Sequence, residues 1–150
     1  MNIIPDIIIP PRKKPTSENE YFEVLSKAVF QAGFSWKVVE KRWFFIKEAF
    51  VDFDVHKIKN YGGDEVGILL ENPNIIRNRK KIEAIIENAK TFVEIQNEYG
   101  TFAKYIESIR DDGYKFRVKD ISTRFRWLGR TGAFFFFYCI NEETPEWKDR

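Results

Sequence analysis

The chain has 150 residues, enough for one substantial core and one domain. A net charge of +2 with 43% hydrophobic and 32% charged residues describes a globular protein and excludes a uniformly basic one. A single cysteine, Cys139, and a single histidine, His56, exclude an internal disulfide and a Cys/His zinc site, so no metal is expected.

The chain opens on Ile3, Ile4, Ile7, Ile8 and Ile9, interrupted by Pro5 and Asp6 and without a basic leader. This does not read as a signal peptide, and no run reaches the roughly 20 apolar residues of a membrane span. A cytoplasmic address without a membrane partner is therefore expected. Pro10, Pro11 and Pro15 favour extended backbone, so residues 1–16 form an arm and residues 17–150 the folded domain.

Ser17 followed by Glu20 is a capping box, and it opens a helix over 18–31. Tyr21, Val24, Leu25, Ala28 and Val29 recur at helical spacing and make its core stripe. Gly33 ends it. Ser35 caps a second helix over 36–49, with Val39, Trp43 and Ile46 facing inward. Asp54 starts a short helix to about Lys59, and Asp64 is expected to cap another through Leu70.

The longest helix is predicted over 77–98, with Ile82, Ile85, Ile86, Ala89, Phe92 and Val93 in register. Its start carries Arg77, Arg79, Lys80 and Lys81, where the helix dipole disfavours cations. Contact with phosphate and pairing with Glu71 or Glu83 account for them equally well. Gly100 and Thr101 separate this helix from a short one to about Ile109. Helices over 119–126 and 131–140 follow, and no strand of convincing length appears. The class is all-α.

The stretch from Tyr114 to Ala133 holds Lys115, Arg117, Lys119, Arg124, Arg126 and Arg130 against Asp120 alone, a local excess of five positive charges. Within it, Leu128, Gly129, Arg130 and Thr131 form a glycine turn at a helix start. Such a turn offers open amides and a positive dipole end to a phosphate. An ordinary solvated helix connection has the same sequence. Cys139, flanked by phenylalanines, reads as core, and no nucleophile–base pair of the Ser/His/Asp or Cys/His kind is visible.

Two segments are more specific. Gln31-Ala32-Gly33-Phe34-Ser35-Trp36 puts an indole just past a small-residue turn. Residues 75–89 open the long helix with the basic cluster. In this order they resemble the DNA-3-methyladenine glycosylase I family, one of the helix-hairpin-helix base-excision enzymes. The resemblance runs from about Tyr21 to Ser108 and resumes from Ser122 to Ile140.

It implies a compact helical bundle of the helix-hairpin-helix type. The expected function is monofunctional hydrolysis of the N-glycosidic bond of an alkylated, 3-methyladenine-like purine after base flipping. It implies double-stranded DNA with a damaged base as partner, a monomer, and no cofactor. By resemblance, Trp36, Gln31, Phe34 and Ala28 line the base pocket. Leu128, Gly129, Arg130, Thr131, Arg124, Arg126, Arg77 and Arg79 hold the DNA backbone.

The pattern also departs from the family. Ala28 stands where the family keeps its pocket carboxylate. Its zinc ligands are missing, and its N-terminal aromatic pocket residues have no counterpart in residues 1–17. Trp127 replaces the first glycine of the hairpin. Glu142 and Glu143, just after the hairpin's second helix, are the expected substitute carboxylates. The alternative implied by Ala28 is a helix-hairpin-helix DNA-binding protein that has lost glycosylase activity.

Overall fold

A computed structural model describes residues 12–150. Among them are eight α-helices, two short 3-10 turns and no strand. The helices are α1 (Glu18–Gln31), α2 (Trp36–Ala49), α3 (Val55–Ile58), α4 (Gly63–Glu71), α5 (Arg79–Tyr99), α6 (Phe102–Ile109), α7 (Tyr114–Arg124) and α8 (Arg130–Cys139). No described helix is long and apolar enough to cross a membrane. Residues 1–11 of the expected arm lie outside the described residues. Residues 12–16 run without helix past the C-terminal end of α8, where the Lys13 amide donates to the Cys139 carbonyl at 3.1 Å.

Most helix starts are where the capping residues put them. Ser17, Ser35, Asp54 and Thr101 each accept a backbone N–H from the first turn. Three boundaries differ. The cap of α4 is Gly62 rather than Asp64, and the Gly62 amide donates to the Glu65 carboxylate at 2.8 Å. Asn78 caps α5, so Arg77 precedes the helix. Helix α7 begins at Tyr114, five residues earlier than its polar pattern suggests, because Arg117 occupies an inward position.

Helices α1 and α5 form the spine, with eight and ten buried residues. Helix α8 packs on α1 and α7. It carries Phe134, Phe135, Phe136 and Phe137 in succession, all buried. At about 100° per residue, four successive side chains leave in four directions. Each meets its own partner: Trp147 in the C-terminal segment, Trp36 in α2, Phe102 in α6 and Tyr114 in α7. A helix apolar on all sides must be surrounded. Here the C-terminal segment closes one side of it.

One carboxylate links the first helix to the middle of the chain. Glu18 accepts from the Phe102 amide at 2.5 Å, the Ala103 amide at 3.2 Å and the Gln96 side chain at 3.1 Å. It thus sits on the N-terminus of α6, where both the open amides and the dipole favour an anion. Glu18→Ala should destabilise the protein by about 2 kcal/mol. At roughly 2–4 °C per kcal/mol for a chain of this size, the melting temperature should fall by about 5 °C in a thermal scan. An unchanged melting temperature would show that this cap is not formed.

Candidate functional site

Helix α1 ends in the turn that the sequence singles out. Gly33 takes φ +76°, the left-handed conformation expected of a helix-terminating glycine. The turn presents Phe34 at 39% exposure and leads into Trp36 at the start of α2. Trp36 is half-buried, with its ring edge-on to Phe135 and centroids 4.0 Å apart. Gln31 is buried, and its side-chain carbonyl oxygen has no hydrogen-bond partner. A buried acceptor without a donor is costly unless something else supplies one. Ala28 is also buried, and its carbonyl faces Gly132 of α8. The second helix of the hairpin therefore lies directly against the expected base-binding residues.

Lys81 joins this turn to the hairpin. It is 1% exposed. Its ammonium donates to the Phe30 carbonyl at 3.0 Å and to the Ala32 carbonyl, both at the end of α1. It also lies 4.4 Å from the Phe34 ring centroid and 5.7 Å from that of Trp127. A cation at its own helix N-terminus is thus matched to the negative end of another helix and to two aromatic faces. The basic cluster is not one surface. Lys81 points inward, Arg79 pairs with Glu83 at 3.5 Å, and Arg77 and Lys80 are exposed.

The connection between α7 and α8 differs from the glycine turn expected. Gly129 has φ −84°, whereas Trp127 has φ +59°. A bulky residue in this region costs about 1–2 kcal/mol. The buried Asn88 amide helps hold the turn, donating to the Arg126 carbonyl at 3.1 Å and accepting the Arg126 amide at 2.8 Å. Gly129 makes no side-chain cap, so the first-turn amides of α8 stay open to an anion. Leu128 is buried beneath them.

The hairpin cations have more local roles than the charge count suggests. Arg124 is bound to Asp120 at 3.1 Å. Arg117 is buried and donates to the Glu143 carbonyl at 2.9 Å. Arg130 does not project freely. Its guanidinium donates to the carbonyls of Arg150 and Lys148, while Arg150 donates to the Thr131 hydroxyl at 3.1 Å. Arg126 is exposed.

The expected substitute carboxylates stand apart from the turn. Glu142 forms two 3.0 Å bonds with Arg110, and its carbonyl accepts from Arg12. The Glu143 side chain is exposed. Glu23, on α1, accepts from the Trp43 indole at 2.9 Å and pairs with Lys47 at 3.2 Å. The Cys139 thiol is buried, and burial pushes its pKa up to about 12, which leaves it unreactive.

This arrangement, an aromatic turn braced against a hairpin with open amides, is that of the helical DNA glycosylase fold. A solved 3-methyladenine DNA glycosylase I from Staphylococcus aureus superposes with a TM-score of 0.76 at 26% identity, covering 85% of this chain and 78% of that one. A single-substitution variant of 3-methyladenine DNA glycosylase I, solved in complex with 3-methyladenine, gives 0.75 at 26% identity over 85% of this chain and 79% of that one. The family model for methyladenine glycosylase matches residues 13–126, and the chain belongs to that family.

It is 33% identical over 96 residues to the DNA-3-methyladenine glycosylase of Haemophilus influenzae, covering 63% of this chain and 52% of the relative. It is 31% identical over 93 residues to DNA-3-methyladenine glycosylase 1 of Escherichia coli, covering 62% and 50%. The chain thus spans about half the length of the curated relatives it matches.

Burial pushes the Lys81 ammonium down to about 8. In the unfolded chain it keeps its proton to about pH 10.4. Between these values the unfolded state binds more protons, so this group makes stability rise with pH across that window. The stability of the protein relative to Lys81→Met should therefore increase from about pH 7.5 to about pH 9.5 in urea unfolding. A constant difference would contradict the burial of this lysine.

Proposed function

We propose that the chain is a monofunctional DNA glycosylase that removes an alkylated purine of the 3-methyladenine kind from double-stranded DNA. The observation that carries this reading is the unpaired, buried acceptor of Gln31 at the turn that also bears Trp36. A flipped purine would stack on the indole and donate its amine to that oxygen. The hairpin's open amides and the exposed Arg126 would hold the phosphates, and Arg130 would join them on release from the Arg150 and Lys148 carbonyls. Arg77, exposed just before α5, and Arg79, at its start, would add further phosphate contacts.

The chemistry asks little of the protein. N3-methyladenine is cationic in DNA, so the bond from N9 to C1′ breaks with the electron pair leaving on a base that becomes neutral. Water adds to C1′ and releases a proton. Stacking and desolvation stabilise that departure without a strong general base. This is compatible with alanine at position 28. The protein would act as a cytoplasmic monomer without a cofactor.

A second reading has its own support. Ala28 supplies no carboxylate, and Glu142 is committed to Arg110. On that reading the chain grips DNA but excises nothing.

Release of free methylated bases from methylated duplex DNA, resolved by chromatography, separates the two. We expect release of N3-methyladenine above a heat-inactivated control, reduced about 10–100-fold in Trp36→Ala with duplex affinity retained. No base release, with salt-sensitive duplex binding intact, would favour the non-excising reading. In a salt titration, Arg130→Ala should weaken binding to all duplexes alike and lower the salt slope by about one. Unchanged binding would remove the hairpin from the interface.

A further inference from the structure

A concavity lies beside the hairpin turn and reaches Arg126 and Trp127. It measures about 700 Å³, within the usual range for small-molecule sites of about 300–1,000 Å³. It is bounded by α4, the outer face of α5 and the residues Arg126 and Trp127. Val66, Ala84 and Ile86 give it a buried apolar floor. Tyr61 and Trp127 supply aromatic walls, and Trp127 is 48% exposed.

Its charge is cationic. Arg79, Lys80, Lys90 and Arg126 line it against Glu83 and Glu87. The two acids pair with Arg79 and with Lys90, the latter at 3.0 Å. Lys80 and Arg126 therefore remain without an ion pair among the described residues. The indole is held in place by its surroundings. Its backbone has the left-handed φ of +59°, Asn88 fixes the residue before it, and Lys81 sits behind its ring. Strain of this kind persists where the surroundings enforce it, and it points to use of the side chain so presented.

An apolar floor, an exposed indole and unpaired cations at the rim match one ligand class. The base of an unpaired nucleotide stacks on an aromatic face while its phosphates meet the cations. A fully stacked duplex offers no base face to such a cleft. We propose that this cleft binds an unpaired nucleotide of the DNA held by the hairpin, with its base on Trp127 and its phosphates on Lys80 and Arg126. This rests on the reading of the hairpin as a DNA grip. It adds a preference for DNA containing an extrahelical nucleotide, separate from the flipped purine at Trp36.

The test uses the full chain and two duplexes of the same sequence, one fully paired and one with a single-nucleotide 2-aminopurine bulge. Affinity is read by anisotropy, and stacking by 2-aminopurine fluorescence. The protein should bind the bulged duplex about tenfold more tightly and quench the bulged base. Trp127→Ala should lose both the preference and the quenching, each read against that variant's own affinity for the paired duplex. Trp127→Phe should keep part of both. Lys80→Glu, which leaves the indole and Lys81 in place, should lower the preference independently of any folding defect at the turn.

Equal affinity for the two duplexes would overturn the inference and leave the hairpin's role intact. So would a preference that survives both Trp127→Ala and Lys80→Glu. Absence of binding to either duplex would overturn the inference together with the DNA grip on which it rests.

Discussion

Lys81 is the interaction on which the geometry of the site depends. An ammonium removed from water is tolerated only where dipoles and acceptors replace its hydration. Here the replacements are the end of α1, the Phe34 ring and the Trp127 ring. Each belongs to a different part of the site. By satisfying one buried charge, the fold fixes the α1–α2 turn and the hairpin relative to the start of α5. Loss of any one partner would expose the remaining two to the same unmet cation.

The scaffold around this contact is built from two further constraints. The four phenylalanines of α8 hold α2, α6, α7 and the C-terminal segment around one helix. This places Phe135 behind Trp36 and keeps the indole half-buried. Buried polar groups then fix direction where apolar packing does not. Asn88 locks the backbone before Trp127, and Glu18 fixes α6 against α1. Both replace hydrogen bonds that those backbone groups would otherwise make with water.

Much of this architecture was legible in the sequence because local chemistry decides it. Ser17, Ser35, Asp54 and Thr101 cap helices with their own side chains, and the periodicity of α1 and α5 is unambiguous. What was not legible depends on distant partners. The inward turn of Lys81 requires the carbonyls of Phe30 and Ala32, some fifty positions earlier. The pairing of Glu142 with Arg110 spans 32 positions, and the use of Arg130 by the C-terminal segment spans about twenty. The sequence points to Gly129 as the flexible residue, yet the left-handed conformation falls on Trp127, where Asn88 and Lys81 surround the turn. Trp127 carried one visible signal, its place where the related hairpins have glycine.

Ala28 places no carboxylate at the candidate site. With alanine at that position, the proposed recognition rests on the Trp36 ring and the unmet acceptor of Gln31. The most direct test is an NMR titration of the nitrogen-15-labelled protein with 3-methyladenine as the free base. The account predicts saturable shifts of the Trp36 indole N–H and the Gln31 side-chain amide, with the Trp43 indole unmoved. Absence of shifts at Trp36 and Gln31, or binding that persists unchanged in Trp36→Ala, would contradict it.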